Sequence, residues 1–299
     1  LIVGDSMRSS LRDVALARLG GVDYALAGAR FFGEGLADDL DGAPAIILPG
    51  GAVNAESGAR VDRIDILAVD ERFWSLGDTG EDVHPTSEPG RYVVLNAALA
   101  GELNLTTGDD VLLRIPKPPN ASTDTLLGRR DDTALSLRLP VRAIVPSEGM
   151  AAFSLHPGHR VPRDAFVPLS LLQRVLDRSG QANRILVSID GPSSGDADGE
   201  RLQNLLHEHL ALADLDLTLR RDDERGYIAL ESGRFLLEPE VERAALAAAD
   251  QIGATASRVL TYLANDIAIE SDVRAGGIPY STVTALDDAA FATLGLRDS

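Results

Sequence analysis

The sequence contains no cysteine and few aromatic residues. Without cysteine, the chain can form no disulfide, and it offers no thiolate as a metal ligand or nucleophile. Aromatic residues make up 4% of the chain, so leucine, valine, isoleucine and alanine must supply most of the core. With 299 residues, the chain is long enough for one large domain or two ordinary ones.

Basic residues are also scarce. The chain has 28 basic and 46 acidic residues and a net charge of −18, and Lys117 is its only lysine. Binding to nucleic acid or to an anionic membrane depends on a basic face that displaces counterions. We therefore expect no nucleic-acid partner.

No apolar run approaches the roughly 18 residues that span a bilayer. The chain begins Leu1-Ile2-Val3 without a signal peptide, and these residues look like the last turn of an apolar segment. This pattern is expected of a domain cut from between membrane helices. A processed enzyme or any other truncated chain would begin in the same way.

Hydrophobic spacing predicts an α+β chain with mixed or antiparallel sheets and helices packed on them. Apolar residues at helical spacing follow Ser6, a plausible N-cap, and predict a helix that ends at Leu19. Alternation over 60–70 is typical of a half-buried antiparallel strand. Further strands are predicted at 22–32, 45–48, 92–95, 110–115, 135–145, 165–168, 184–189, 215–220, 257–269 and 280–285, with helices at 36–40, 97–103, 170–176, 199–212 and 239–252.

Three local patterns add to this map. Pro49-Gly50-Gly51 predicts a break after the strand 45–48, and a hairpin is predicted between 227–230 and 234–237. Residues 68–77 and 285–295 share a pattern in which a strand delivers an acidic pair to a short helix.

Histidines offer one candidate metal site. His156 and His159 lie three residues apart across Pro-Gly, and a zinc site would need a third ligand such as His84 or an aspartate. Two surface histidines on a turn explain the same residues. His207 and His209 lie two apart on a predicted helix and point away from each other. We predict no metal site and no cofactor.

Residues 191–195 match G-x-S-x-G between a strand and a helix, the setting of a serine nucleophile. Acidic residues follow at once and would oppose an oxyanion there. Each histidine after Ser193 lies on the very next helix, whereas a triad needs a distant one. A solvated turn explains the residues better, so we predict no catalytic residues. A secreted hydrolase using Ser193 stays an alternative.

Four stretches of the sequence, residues 4–20, 68–74, 93–113 and 165–187, carry motifs in a fixed order. Together these motifs resemble extracytoplasmic domains of ABC-transporter permeases of the MacB/FtsX type. Residues 4–20 are similar to the stretch outside the first membrane helix of that family, and 68–74 to the strand and turn before its inserted lobe. Residues 93–113 resemble its helix, Gly-Asp and strand signature, and 165–187 resemble the end of that lobe. The match is looser after about residue 200.

The resemblance implies two lobes and a transport role. Residues 1–91 and 195–299 would form a membrane-proximal (Porter-like) lobe, and 92–194 an inserted (Sabre-like) lobe. The implied partners are a cytoplasmic ABC ATPase, a second permease subunit and an extracytoplasmic substrate or partner protein. The implied place is the periplasmic side of the cell inner membrane. A free-standing ligand-binding module is the other alternative.

In this role, a helix continuous with the membrane segment would carry motion into the domain. Leu11, Val14 and Leu16 are the coupling residues that the resemblance implies on the helix 6–19. We expect that a charge at any of them uncouples ATP hydrolysis from transport.

Overall fold

The computed structural model describes residues 16–77, 85–86, 88–116, 134–156, 160–189, 195–233, 236–267 and 278–293. Over these residues the chain is α+β, as the sequence predicts. It divides into two compact units, Leu1–Leu217 and Thr218–Ser299, which we describe one at a time.

Unit 1 contains an eight-stranded mixed sheet with helices between its strands. Asn96 begins one helix by accepting a hydrogen bond from the Leu99 amide, and left-handed Asn104 ends it. The elements are β1 (Tyr24–Gly33), α1 (Leu36–Asp39), β2 (Gly42–Asn54), β3 (Arg60–Val69), α2 (Glu71–Ser75), β4 (Val93–Asn96), α3 (Ala97–Leu103), β5 (Asp110–Pro116), β6 (Ala134–Val145), β7 (Asp164–Pro168), α4 (Leu169–Leu176), β8 (Gln181–Val187) and α5 (Asp196–His209).

The sheet order is β1-β8-β2-β3-β7-β4-β6-β5, and β5 also pairs with β2. Six strands, from β2 through β3, β7, β4 and β6 to β5, therefore form a closed ring. The pairs β3–β7 and β4–β6 are parallel, and the other pairs are antiparallel. Closure of the ring leaves β1 and β8 as an extension beside the first half of β2.

The predicted break at Pro49-Gly50-Gly51 is wrong, because β2 runs through it. The register of β2 against β3 shifts between Gly50 and Gly51, and from Gly51 onward β2 also pairs with β5. At Gly50, a Cβ would overlap the Ile66 side chain and lie 2.7 Å from the Arg114 carbonyl oxygen. The glycine is therefore needed for a close approach between strands, and it ends no strand.

Aliphatic side chains form the main core of unit 1. This core contains buried residues of the six ring strands together with residues of α3 and α4, among them Ile66, Leu95, Leu99, Leu113 and Leu172. A second core lies on other residues of the same strands, including Leu67, Val94 and Phe166. The prediction that aliphatic residues supply most of the packing is confirmed for the main core.

The few aromatic residues are concentrated in the second core. Phe73 lies 5.2 Å from Trp74, 5.5 Å from Phe153 and 6.0 Å from Phe166, measured between ring centroids. The Trp74 indole nitrogen donates a hydrogen bond of 2.8 Å to the Thr86 hydroxyl. We call Phe73, Trp74, Phe153 and Phe166 the aromatic cluster.

Unit 2 contains two two-stranded sheets and two helices. Its elements are β9 (Leu217–Asp222), β10 (Tyr227–Ser232), α6 (Pro239–Gln251), β11 (Val259–Ile267), β12 (Ile278–Leu286) and α7 (Asp288–Thr293). The predicted hairpin partner is wrong: β10 pairs with β9, and residues 236–237 are not in a strand. Gly226, with a φ of +71°, permits the β9–β10 turn.

The repeated strand-to-helix pattern is confirmed at both of its positions. Asp70 follows β3 and accepts a hydrogen bond from the Arg72 amide at the start of α2. Asp287 follows β12 and accepts one of 2.9 Å from the Ala290 amide at the start of α7. In both places the first acid of the pair caps the helix.

The division into lobes stays a prediction. Strands between residues 93 and 187 pair in one sheet with strands between residues 24 and 69, and the boundary between the two compact units falls after Leu217 in the sequence.

Candidate functional site

The predicted coupling residues lie at the start of the described chain. Leu11 and Val14 are outside the described residues, and Leu16 is in a helical turn with 52% of its surface exposed. The Leu19 amide donates a hydrogen bond of 3.0 Å to the Leu16 carbonyl oxygen. The Leu19 side chain packs against the second core, which contains the aromatic cluster. A coupling role for the three residues stays a prediction.

Directly after this turn, Gly20 and Gly21 join the segment to unit 1. The Gly21 amide donates a hydrogen bond of 2.7 Å to the carbonyl oxygen of Leu76, which ends α2. A Cβ at Gly21 would overlap that same oxygen. Gly20 has a φ of +59°, and a Cβ there would lie 2.5 Å from the Met150 sulfur. We call these contacts the Gly20–Gly21 joint.

A second candidate is a cleft of about 240 Å³ in unit 1. Its lining brings together four arginines, one histidine and one aspartate from segments far apart in the sequence. The lining residues are Arg18, Arg63, Asp65, Ser154, His156, Arg160, Val161, Pro162 and Arg163. We call this the arginine cleft.

A β-bulge places Arg63 on the wall of the cleft. Arg63 is the residue of β3 that the register with β2 skips, and its φ is +63°. The bulge allows Val61 and Ile64, three residues apart, to enter the same core, which strict alternation would forbid. A non-glycine residue in left-handed backbone is strained, and such strain is concentrated at functional sites.

A buried carboxyl group, that of Asp164, lies next to the cleft residue Asp65 in the sheet. Asp164 has no exposed surface, and its Oδ2 accepts a hydrogen bond of 3.2 Å from the Asn96 amide nitrogen. Its Oδ1 has no hydrogen-bond partner among the described residues. Burial, and then the charge of neighbouring Asp65, raise the pKa of Asp164 to about 8, and Arg18 opposes the rise. At neutral pH, Asp164 is therefore mostly protonated.

Asp65 is the register partner of Asp164 in the parallel pair of β3 and β7. Two side chains at matched positions of neighbouring strands lie on the same face of the sheet. Burial raises the pKa of Asp65, and the charge of His156 opposes the rise. The cleft therefore combines four arginines with one carboxyl group, Asp65, and the buried Asp164 carboxyl lies beside Asp65 in the sheet.

The sequence analysis did not identify this cleft. Residues 60–65 and 160–164 are too far apart in the sequence for the pattern to connect them. Asp164 gave one usable signal, because it is the charged residue at the start of the apolar strand Asp164–Pro168. Charged residues are almost never fully buried without a specific reason.

The histidine and serine motifs are not brought together as a site. Ser193, His84 and His159 lie outside the described residues, and His156 lines the arginine cleft. His209 Nδ1 lies 3.2 Å from an oxygen of Asp39. No group of three or more metal-ligating side chains occurs among the residues that the structure describes. Within the same part of the chain, no helix has the length and apolarity of a membrane span.

Neither a protein-family model nor a curated protein matches the sequence. Among solved structures, the chain is similar to the periplasmic region of MacB from Actinobacillus actinomycetemcomitans, with 11% identity, a TM-score of 0.39, and 73% of this chain and 84% of that chain covered. It is also similar to the extracellular domain of the ABC-type transporter YknZ from Gram-positive bacteria, with 11% identity, a TM-score of 0.37, and 60% and 84% covered. Both similar structures are of regions that lie outside the cytoplasm.

Proposed function

We propose that the chain is the extracytoplasmic domain of an ABC-transporter permease of the MacB/FtsX type, with a mechanical and not a catalytic role. It acts on the periplasmic side of the cell inner membrane, with a cytoplasmic ATPase and a second permease subunit as partners. ATP hydrolysis drives export, or action on an extracytoplasmic substrate or partner protein.

The motifs that carry the resemblance support this proposal through their positions. Residues 68–74 span the end of β3, the Asp70 cap and α2. Residues 93–113 contain β4, α3, a turn at Gly108 with a φ of +101°, and most of β5. Residues 165–187 run from β7 directly into α4 and then through β8. The motifs thus lie at the transitions between elements, which determine the path of the chain.

The observation that carries the proposal is the Gly20–Gly21 joint. A segment that transmits motion must be fixed to the body it moves, because a flexible link absorbs the displacement. The hydrogen bond from Gly21 to Leu76 and the lack of room at both glycines fix the segment to α2. Phe73 and Trp74 of that helix belong to the aromatic cluster, so α2 connects the joint with the second core.

The test uses the full-length protein that carries this chain, produced with the ATPase encoded beside it and reconstituted in nanodiscs. Amide hydrogen exchange over residues 21–33 and 67–76 is compared with and without bound ATP. We expect ATP to change the exchange of both segments. In Leu11→Asp, Val14→Asp and Leu16→Asp, we expect the ATPase rate to persist and the change in exchange to disappear.

Leu212→Asp is the matched control, because Leu212 is 45% exposed and lies far from the joint in the sequence. This variant should keep both the ATPase rate and the ATP-dependent exchange. A protein that assembles with no ATPase would overturn the proposal. So would coupling variants that cannot be distinguished from Leu212→Asp.

A further inference from the structure

The residues that line the arginine cleft differ from those that form the Gly20–Gly21 joint. The lining of the cleft comes from three segments: Arg18 precedes β1, Arg63 lies at the bulge of β3, and Arg160 belongs to the segment that precedes β7. Arginines from separate segments around one cleft suit a ligand that carries more than one negative charge.

Two of the four arginines already have a neighbouring acid. The Nε atom of Arg163 donates a hydrogen bond of 2.7 Å to Glu102 Oε1, and Arg18 lies close enough to Asp164 to lower its pKa. By contrast, within the described part of the chain, Arg63 and Arg160 form no ion pair and no side-chain hydrogen bond. In a protein with a net charge of −18, two such cations in one cleft are unexpected.

Acidic groups oppose an anion in the cleft only weakly, because Asp65 is the one acid among the lining residues and Asp164 is buried beside it. Asp164 is mostly protonated at neutral pH, and burial raises the pKa of Asp65 as well. Among the charged residues that line the cleft, arginines outnumber the one aspartate by four to one. Guanidinium groups bind phosphate and carboxylate oxygens through paired hydrogen bonds.

We propose that the arginine cleft binds a phosphate group, with Arg63 and Arg160 pairing with its oxygens. A phosphate monoester carries close to two negative charges and can satisfy both arginines, whereas a carboxylate carries one. The cleft of about 240 Å³ corresponds to roughly eight water molecules, which leaves room for the part of the ligand that carries the phosphate. The phosphate belongs to a soluble ligand or to a lipid headgroup.

The experiment measures binding of inorganic phosphate to the 299-residue chain by calorimetry, in chloride buffers of equal ionic strength. We expect Arg63→Gln and Arg160→Gln each to weaken binding by about tenfold or more, because each removes a charge-assisted hydrogen bond. Arg60→Gln is the matched control, since Arg60 is exposed on the same strand and does not line the cleft. It should bind as the wild type does.

Two further ligands distinguish the sources of the phosphate. Tighter binding of glycerol 1-phosphate, with no binding to phosphatidic acid vesicles, indicates a soluble ligand. Flotation with vesicles that contain phosphatidic acid, a phosphate monoester, but not with phosphatidylcholine vesicles, lost in Arg63→Gln, indicates a lipid headgroup. Either result supports the proposal.

Absence of binding to phosphate and to both kinds of ligand would overturn the proposal. Equal binding by Arg63→Gln, Arg160→Gln and Arg60→Gln would overturn it as well. Thermal unfolding in chloride checks that each variant folds. Arg160 lies outside helices and strands, so Arg160→Gln tests phosphate binding even if Arg63→Gln disrupts the bulge. The result is independent of the transporter role, because it uses no membrane segment and no ATPase.

Discussion

The Gly21 amide donates a hydrogen bond of 2.7 Å to the Leu76 carbonyl oxygen, and the same oxygen occupies the space that a Cβ at residue 21 would need. The same contact closes the end of α2 and anchors the segment that precedes β1. A single methyl group at Gly21 would therefore disturb both the helix end and the anchor.

We predict that Gly21→Ala destabilises the protein by about 1–3 kcal/mol, the usual effect of a group inserted where none fits. Urea unfolding of the chain measures this change. Gly101→Ala is the control, because Gly101 lies in α3 with nothing within 4 Å of an added Cβ. It should stabilise by up to about 1 kcal/mol, since alanine favours helices. Equal effects of the two substitutions would contradict the packing at the joint.

Two neighbouring glycines of β2 provide a second comparison. A Cβ at Gly50 would lie 2.7 Å from the Arg114 carbonyl oxygen, whereas one at Gly51 meets its nearest atom at 3.4 Å. We predict that Gly50→Ala loosens the pairing of β2 with β5, which closes the ring, and lowers stability by about 1–3 kcal/mol. Gly51→Ala should have a much smaller effect. Amide exchange of residues 111–114, measured beside urea unfolding, would reveal loosening of this pair, and unchanged exchange in Gly50→Ala would speak against it.

The sequence predicted most elements of unit 1 because their ends carry local signals. Asn96 and Asn104 mark the start and end of α3, and Asp70 marks the start of α2, so both helices could be placed without knowledge of their neighbours. The strand break predicted at Gly50 is wrong, because a glycine is needed there for the close approach of β5, about sixty residues later in the chain. Local patterns contain no information about such a partner.

The arginine cleft could not be predicted for the same reason. Asp65 and Asp164 become neighbours through a parallel pair of strands, and parallel pairing leaves no turn signal in the sequence. The spacing of Val61 and Ile64 is a signal of the bulge, because two core residues three positions apart break the alternation of β3. The sequence analysis treats residues 60–70 as regularly alternating, and it therefore does not predict the bulge at Arg63.

Asn96 is expected to contribute more to stability than a helix cap alone. Its Oδ1 caps α3, and its amide nitrogen lies within hydrogen-bond distance of the carbonyl oxygens of Ala151 and Pro162 and of Asp164 Oδ2. Asn96→Ala removes the cap and leaves buried acceptors without a donor, for a loss of roughly 3 kcal/mol. Asp70→Ala, which removes the cap of a more exposed helix end, should lose only about 1 kcal/mol in the same urea titration. Similar losses in the two variants would argue against the role of Asn96 in holding Asp164.

Asp164 is expected to make the stability of the protein depend on pH. Its pKa is about 8 in the folded protein and near 4 in an unfolded chain. Between these values the folded state holds a proton that the unfolded state has released, so the free energy of unfolding decreases as pH rises from about 4 to about 8.

Asp164→Asn is uncharged at every pH and removes this dependence. We predict that urea unfolding at several values between about pH 5 and pH 8 gives a flatter profile for Asp164→Asn than for the wild type, with the variant more stable at the upper end. Asp109→Asn is the control, because hydrogen bonds from Thr106 lower the pKa of the Asp109 carboxyl. That group is ionised in both states over this range, so its loss should leave the slope unchanged. If Asp164→Asn keeps the wild-type slope, the buried carboxyl is already ionised at neutral pH, and the cleft beside it is less cationic than its arginines suggest.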